Sequence, residues 1–234
     1  MASRVPPGCE APPRHIHSSD QTYYVLSGEM QLELGEERYT VGPETAVFIP
    51  AGVPHHNWNE GDEDEIHLEF LVPGIHPMDP LMTPVESTDP QGLPYAVVPV
   101  PADGYGDPAR LPAGLDPSVA DPNFGIQVVT ERKMGSQHHL MYVGKVDPGA
   151  GGPPLHVHEF DQFYYVLEGR LSVEIGFETF VAEPNSLVVL PAGVPHRQWN
   201  DGPEIERHIA VNIPEGEAGT EWDVPVRFAV AERR

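Results

Sequence analysis

The sequence predicts an all-β protein made of two similar domains in tandem, and three observations support this prediction. First, shifting the 234-residue chain by 141 positions aligns its two halves without a gap, and 25 of the 50 residues at 12–61 are identical to their partners at 153–202. Chance would give roughly one identity in fifteen. Second, the chain contains 23 glycines and 28 prolines; third, helical periodicity is nearly absent. Many short strands separated by Gly/Pro turns are typical of a β sandwich or barrel.

Four strand candidates recur in each copy of the repeat. The first is rich in aromatic and β-branched residues and ends at Gly28 or Gly169, as a tight turn requires. The second alternates apolar and polar residues, which indicates a half-buried strand. The third is a short apolar run that stops at Pro-Ala-Gly-Val-Pro, and the fourth lies near the end of the copy. In order, the predicted strands are 22–26, 30–34, 46–49 and 66–72 in the first copy, and 163–167, 171–175, 187–190 and 207–213 in the second.

The segment between the copies, residues 74–122, is rich in proline. Its eleven prolines exclude a long helix and favour extended segments, with short strand candidates at 95–98 and, just after the segment, at 124–131. Met1 aligns with Tyr142, so the second copy has upstream strand residues that the first lacks. Because an unpaired edge favours aggregation, we expect the first domain to borrow an edge strand from this segment or from a partner chain. The predicted organisation is an N-terminal domain core at 1–73, an inter-domain segment at 74–122 that contributes edge strands, and a C-terminal domain at 123–234.

Charge and composition restrict the possible partners. The net charge is −23, from 36 acidic and 13 basic residues, so phosphate backbones and anionic membrane surfaces are repelled. The single cysteine, Cys9, excludes an intrachain disulfide and a multi-cysteine zinc site. The N-terminus lacks the apolar region of a secretory signal, and no stretch approaches the length of an apolar membrane span. We therefore expect a cytoplasmic protein that binds a small-molecule substrate and neither nucleic acid nor membrane.

Histidines recur at the same spacing in both copies. Each copy has a His-x-His pair, a glutamine four residues after the second histidine, and a third histidine 34 residues further on. Residues two apart on a strand face the same way, so each pair can aim both imidazoles at one point. A lone histidine is usually a core or surface residue, but eight ligand-capable positions in register favour one divalent transition metal per domain. The candidate metal ligands are His15, His17, Gln21 and His55 in the first copy, and His156, His158, Gln162 and His196 in the second.

These motifs resemble those of the cupin family, and the whole chain resembles a bicupin, with two cupin domains in tandem. The second family motif, Pro-x-Gly-x2-His-x3-Asn, is matched at 50–59 and at 191–200. The first, His-x-His followed by Glu and then Gly, is matched at 15–28 and at 156–169 except for its Glu. The resemblance implies two jelly-roll barrels (double-stranded β-helices), each with a metal ion inside its mouth. The metal implied is Fe, Mn, Ni, Co, Cu or Zn.

Both copies carry glutamine where the family motif has glutamate, which the resemblance makes a ligand and a base. Glutamine cannot take a proton, and it adds no charge, so the metal keeps its full positive charge and acts as a stronger Lewis acid. Gln21 and Gln162 have two possible roles. Each can ligate the metal through its amide oxygen, or each can orient the histidines from behind.

Catalytic candidates follow from residues that share a strand face with the ligands. Glu69 offers a carboxylate base if its face of the last strand points into the pocket. The alternative is that Leu68 and Phe70, on the opposite face, point into the barrel interior. Two histidines recur 12 residues after the third histidine of each motif, and two tyrosines share the face of the glutamines, either lining the pocket or packing in the core. The catalytic candidates are Glu69, Tyr23, Tyr164, His67 and His208.

The two domains are expected to be functionally unequal. Glu69 aligns with Ala210, and His56 aligns with Arg197. A carboxylate can accept a proton and an arginine can hold an anionic group. A reaction that abstracts a proton should therefore depend more on the first domain.

Three classes of function fit these residues. By analogy with cupins that have a neutral three-histidine set, the first is a dioxygenase acting on an enolisable or hydroxylated (catechol or enol-type) small molecule. The second is a non-redox isomerase, polyketide-type cyclase or lyase, in which the metal polarises a carbonyl. The third is a binding protein without enzymatic activity, which the complete histidine sets disfavour. We therefore expect an enzyme, and a homodimer is possible because cupins often pair through edge strands.

Overall fold

The structure of the chain is a computed structural model that describes residues 1–10, 12–113, 123–217 and 220–228. The predicted all-β class is confirmed: within these residues, twenty strands form four five-stranded sheets, and the helical elements are single 3-10 turns at Pro108–Arg110 and Arg132–Met134. No helix in the described ranges is long and apolar enough to cross a membrane. The strands belong to two compact units, called here the first and the second domain.

The first domain comprises Met1–Asp103 and Val129–His139. Its two sheets have the strand orders β1-β8-β3-β6-β10 and β5-β4-β7-β2-β9, and the paired strands run antiparallel. The strands are β1 (Ala2–Val5), β2 (His15–Ile16), β3 (Asp20–Ser27), β4 (Met30–Leu34), β5 (Glu37–Val41), β6 (Thr45–Ile49), β7 (His55–Trp58), β8 (Glu65–Val72), β9 (Thr83–Pro84) and β10 (Ala96–Pro99).

The second domain comprises Gly104–Val128 and Leu140–Arg234. Its sheets have the orders β11-β12-β19-β14-β17 and β16-β15-β18-β13-β20, so the repeated strands hold the same places as in the first domain. The strands are β11 (Phe124–Thr130), β12 (Leu140–Val146), β13 (His156–Val157), β14 (Asp161–Glu168), β15 (Leu171–Ile175), β16 (Glu178–Ala182), β17 (Leu187–Leu190), β18 (His196–Trp199), β19 (Glu206–Ile213) and β20 (Val224–Pro225).

The compact units divide the chain at residues other than the predicted boundaries. Two strands from the predicted inter-domain segment belong to the first domain: β9 pairs with β2, and β10 pairs with β6, each at a sheet edge. Residues 104–113 of that segment belong to the second domain, and residues 114–122 lie outside the described residues. The boundary shifts because strand pairing, rather than sequence repetition, decides which residues fold together.

The extra strands lie at opposite edges in the two domains. In the first domain β10 extends the sheet beyond β6, whereas in the second domain β11 extends the corresponding sheet beyond β12, the counterpart of β1. The strand from the inter-domain segment therefore extends the first-domain sheet at its β6 edge.

The cores lie between the two sheets of each domain, and the turn glycine of the first motif has a steric role. Core clusters form around Tyr23 and Leu32 in the first domain and around Tyr164 and Leu171 in the second. Gly28 has a φ of +73°, and a Cβ placed there would lie 2.5 Å from the Asp64 carbonyl oxygen. Only glycine accepts that conformation and that approach without strain.

Candidate metal centres

Each group of three histidines is assembled from a two-residue strand and a neighbouring strand. In the first domain, His15 on β2 is paired directly with His55 on β7, and His17 follows two residues later. In the second domain, His156 on β13 is paired with His196 on β18. Within each group the candidate ligand atoms lie within 4.8 Å of one another, and all the side chains are buried. Each group could therefore hold a metal ion.

Backbone carbonyl groups orient all six imidazoles. Each Nδ1 atom lies 2.6–3.0 Å from a carbonyl oxygen. Because a carbonyl oxygen can only accept a hydrogen bond, Nδ1 carries the proton and Nε2 keeps its lone pair. The hydrogen bond from Nδ1 to the carbonyl oxygen fixes both the tautomer and the orientation of an imidazole that binds a metal through Nε2. The carbonyl oxygens belong to Pro13, Leu81 and Val53 in the first domain, and to Pro154, Phe160 and Val194 in the second.

The Nε2 atoms converge on a point that suits a cation. His15 Nε2 lies 3.2 Å from His17 Nε2, although both atoms carry lone pairs. His55 Nε2 and His196 Nε2 are buried and have no hydrogen-bond partner among the described residues. A buried acceptor without a partner is unfavourable, and a divalent metal ion would satisfy all three lone pairs at once. The residues present therefore fit a metal ion in each domain.

Burial keeps these histidines in the form that binds metals. Desolvation lowers the pKa of His55 to about 3 and that of His196 to about 4, and it also lowers the pKa values of His15 and His158. The neighbouring histidines act in the same direction, because adjacent imidazolium charges repel. These imidazoles are therefore neutral near pH 7, and no proton must be displaced before a metal binds.

In the first domain, a carboxylate fixes the amide of Gln21. Gln21 Nε2 donates to Glu69 Oε1 at 2.6 Å, and the carboxylate can only accept, so the amide nitrogen must face Glu69. Gln21 Oε1 is buried and has no hydrogen-bond partner within the described part of the chain. Glu69 is paired with Tyr23 on β3, and its side chain lies on the inner face of β8, beside Gln21.

In the second domain, neutral groups fix the amide of Gln162. Its Nε2 donates to Asn212 Oδ1 at 2.9 Å, and its Oε1 accepts from the Tyr164 hydroxyl at 2.5 Å. The same Oε1 lies 3.3 Å from His158 Nε2. The amide oxygen is therefore next to a metal-facing nitrogen. In both domains this orientation fits direct ligation and also fits a purely orienting role.

The recurrent histidines of the last strands lie deeper in each barrel and pair with glutamates. His67 Nδ1 and His208 Nδ1 each lie 2.9 Å from a carboxylate oxygen, of Glu65 and Glu206 respectively, and all four side chains are buried. A tyrosine separates each pair from the metal-facing histidines: the ring of Tyr23 lies 4.9 Å from His67 and 6.4 Å from His55. The repeated Glu-x-His spacing was a signal for this pairing that the sequence analysis did not use.

A carboxylate also lies near the second-domain histidines, at a position that the sequence motifs do not indicate. Asp223 Oδ1 lies 3.4 Å from His156 Nε2, and its side chain is 44% exposed. Asp223 immediately precedes β20, which pairs with β13 and so carries the carboxylate to the histidines. Asp223 aligns with Met82 and belongs to no motif, so only the fold reveals it.

A family model and solved structures match this architecture. The model for the cupin domain matches residues 1–72 and 142–212. The chain belongs to the cupin family. An uncharacterized protein of Streptomyces coelicolor is 27% identical over 90 residues, which are 38% of this chain and 80% of that protein. Both matched segments contain a complete histidine group, so the predicted two-domain cupin is confirmed.

Solved structures with the same fold differ widely in sequence. AerE from Microcystis aeruginosa is 18% identical, with a TM-score of 0.61 over 91% of this chain and 85% of its own. Oxalate decarboxylase from Bacillus subtilis is 17% identical, with a TM-score of 0.63 over 93% and 69%. Salicylate 1,2-dioxygenase from Pseudaminobacter salicylatoxidans is 15% identical, with a TM-score of 0.64 over 90% and 69%. At these identities the likeness shows the fold alone.

Other motif residues of the cupin pattern are structural. Asn59 Nδ2 donates to the carbonyl oxygens of Val5 and Glu63 at 2.8 Å, and Asn200 makes the equivalent bonds in the second domain. These bonds close the turn after β7 or β18. Arg197 is directed away from the histidines, because it pairs with Glu174 at 2.6 Å and is half exposed. It therefore does not supply an anion-binding group at the metal centre.

A cavity in the second cupin domain reaches His156, one member of its histidine group. Its volume is about 780 Å³, within the range of small-molecule sites. His156 and Gln162 line one part of it, and Asp223 contributes a carboxylate. Aromatic side chains form much of the remaining wall: Tyr105, Phe124, Tyr142, Phe160, Tyr164 and Trp222. The cavity therefore combines a cluster of polar, metal-facing groups with flat apolar walls.

Proposed function

We propose that this cupin is a divalent-metal-dependent dioxygenase that acts on an enolisable or hydroxylated small molecule of the catechol or enol type. One observation carries the proposal: the second-domain cavity reaches His156, one of three convergent histidines, and aromatic side chains form much of its wall. A ligand set of imidazoles and an amide would add no negative charge, so a metal ion held there would keep its full Lewis acidity toward substrate oxygens. Aromatic walls suit a planar organic substrate.

The chain's own residues supply binding, orientation and shielding. A bound divalent metal would supply Lewis acidity and, for a redox-active ion, a site for oxygen chemistry. His156, His158 and His196 would hold it, with the Gln162 amide oxygen at the fourth position. Tyr164 keeps that oxygen in place through its 2.5 Å hydrogen bond. Asp223 lies at the cavity wall, where it can receive a proton from a substrate hydroxyl.

The first domain receives a different role in this proposal. Its histidines and Gln21 would hold a second metal ion, and Glu69 fixes the Gln21 amide and can also accept a proton there. Tyr23 and His67 lie between this centre and the Glu65 carboxylate. We place substrate turnover in the second domain, because the described cavity and the exposed carboxylate both belong to it.

Non-redox chemistry is the second candidate, and the carboxylates favour it. Each centre has one carboxylate beside a candidate ligand, Glu69 at Gln21 and Asp223 at His156. An isomerase, cyclase or lyase needs such a group to move a proton while the metal polarises a carbonyl. The names of two structural relatives, a dioxygenase and a decarboxylase, support both reaction classes on this fold.

Metal analysis combined with oxygen measurements tests the proposal. Purified protein from metal-supplemented cultures should contain two equivalents of divalent metal per chain, because both histidine groups are complete. Catechols and enolisable compounds should then be screened with an oxygen electrode, with parallel anaerobic incubations analysed for product. Oxygen uptake matched to product identifies a dioxygenase; product formed equally without oxygen identifies the non-redox class. A metal content near zero would contradict both.

A further inference from the structure

The wall of the second-domain cavity contains a polar atom without a partner. Gln198 lies on β18 two residues after His196, so both side chains face the inside of the barrel. Gln198 is only 4% exposed, it lines the cavity, and its Oε1 has no hydrogen-bond partner among the residues described. Buried amide oxygens are normally paired. An unpaired acceptor in a cavity wall indicates a ligand that donates a hydrogen bond.

A glycine makes room for this side chain. A Cβ placed on Gly152 would lie 2.5 Å from Gln198 Nε2, so a larger residue would displace the amide. Gly152 also lines the cavity, and its backbone nitrogen donates to the Gln198 carbonyl oxygen at 3.0 Å. The position of the amide therefore depends on close backbone packing. In the first domain the residue aligned with Gln198 is Asn57, which is one methylene shorter.

Aromatic rings line one part of the same cavity. Phe160 stacks on His158 with ring centroids 4.0 Å apart and an interplanar angle of 10°. Trp222 meets Phe160 edge-on at 6.2 Å. Both side chains line the cavity, whereas the residue aligned with Phe160 in the first domain is Ser19. The wall therefore favours a planar ring system held close to the metal-facing histidines.

We propose that the second-domain cavity binds a planar hydroxylated aromatic compound whose hydroxyl group donates a hydrogen bond to Gln198 Oε1, while its ring packs against Phe160 and Trp222. The inference rests on the proposed function and names its substrate class and a specificity residue. A buried acceptor built for a hydroxyl group rejects an analogue that lacks the proton, because the acceptor then stays unpaired. Binding itself requires neither oxygen nor a redox-active metal.

Equilibrium binding to the zinc-loaded chain tests the inference without turnover. The probes are naphthalene-2,3-diol and 2,3-dimethoxynaphthalene, which has the same rings but no hydroxyl proton, and the readout is the dissociation constant from titration calorimetry. Wild-type protein should bind the diol at least about tenfold more tightly than the ether. Gln198→Leu should weaken diol binding about tenfold and leave ether binding nearly unchanged. Gly152→Ala, which displaces the amide, should act in the same direction.

Asn57→Leu is the matched control, since it removes the aligned amide from the first domain. Circular dichroism verifies that each variant is folded, and the comparison of the two probes on wild-type protein needs no variant. Equal binding of both probes, no binding of the diol, or equal effects of Asn57→Leu and Gln198→Leu would overturn the inference. Selective diol binding by the zinc-loaded chain, combined with no oxygen uptake by protein loaded with iron, manganese, nickel or copper, would refute the dioxygenase and leave the inference standing. Oxygen uptake that is unchanged by Gln198→Leu would refute the role of Gln198 and leave the dioxygenase standing.

Discussion

The two cupin domains hold their histidines in the same way and surround them differently. In the first domain, the glutamine beside the histidines contacts a carboxylate, Glu69, on the last barrel strand. In the second domain, the corresponding glutamine contacts Asn212 and Tyr164, and a carboxylate approaches from another part of the chain at Asp223. The ligand set is therefore the constant part of the repeat, and charge near the metal is the variable part.

The two domains share the residues that could hold a metal ion and differ in the residues that could bind a substrate. The histidines that could hold a metal ion lie on or next to β2 and β7 in the first domain, and on or next to β13 and β18 in the second, and the two strands of each pair are antiparallel neighbours. The groups that we propose to select a substrate, Gln198 and the aromatic wall with Phe160 and Trp222, line the cavity of the second domain. One fold can thus repeat a histidine group while the residues around each copy differ, and the cavity described here lies beside the second copy.

The largest expected effect comes from removing histidines one domain at a time. Replacing His156 and His158 with alanine should lower turnover by about a thousandfold, because the cavity loses its metal-facing groups. Replacing His15 and His17 should leave most of the turnover, and each double variant should lose one equivalent of metal. Steady-state kinetics and elemental analysis measure both. Equal losses of turnover in two folded variants would refute the assignment of the reaction to the second domain.

A buried histidine should make the stability of the first domain depend on pH. Burial lowers the pKa of His139 to about 4, although Asp20 nearby acts in the opposite direction. Below about pH 6.5 the His139 imidazole binds a proton in the unfolded chain but stays neutral in the folded chain. The free energy of unfolding therefore falls as the pH falls from about 6.5 to about 4. This residue should contribute a loss on the order of 3 kcal/mol.

Urea unfolding of metal-free protein at pH 7 and at pH 4.5 measures this effect. His139→Gln, which can keep the contact with Thr22, should flatten the pH dependence of the first unfolding transition. His139 belongs to the first domain, so a transition assigned to the second domain should respond to the substitution much less. Identical pH dependence in wild-type and variant protein would contradict the prediction.

A smaller effect should distinguish the two glutamines. Gln162→Glu places a carboxylate next to His158, and the groups around it are neutral. The second centre should therefore bind its metal about tenfold more tightly, a change in binding free energy of about 1.4 kcal/mol. Gln21→Glu places the new carboxylate against Glu69, and repulsion between like charges should cancel much of that gain. Competition with a chelator measures both affinities. Equal tightening in both domains would show that Glu69 has no electrostatic effect on the first centre.

The ligand histidines could be predicted because the information is local. A repeat in register, strand parity and a turn before the third histidine place the candidate ligands without knowledge of the whole fold. The orientation of Glu69 could not be decided in this way, since either face of its strand could have been the inner one. Its pairing with Tyr23, which shares the inner face with Gln21, settles the orientation, and that pairing joins residues 46 positions apart in the sequence.

The residues that sequence reasoning missed depend on the path of the chain outside the repeat. Asp223 reaches His156 because β20 pairs with β13, and the Leu81 carbonyl oxygen reaches His17 Nδ1 at 2.6 Å from a segment with no motif. Gln198 lies inside the repeated region, but its unpaired oxygen is visible only when the neighbouring contacts are known. Such contacts follow from tertiary packing rather than from spacing.

The strands β9 and β10 lie outside the repeated sequence but belong to the first domain, so the sequence repeat and the folded domain have different boundaries. A chain cut after residue 73 would contain every predicted ligand of the first centre, yet it would lack Leu81, both borrowed strands and the residues at 129–139. The first domain is interrupted along the chain by residues 104–128 of the second. Expressing or exchanging the first domain by itself therefore requires more than one cut in the chain, because its residues come from two separate segments.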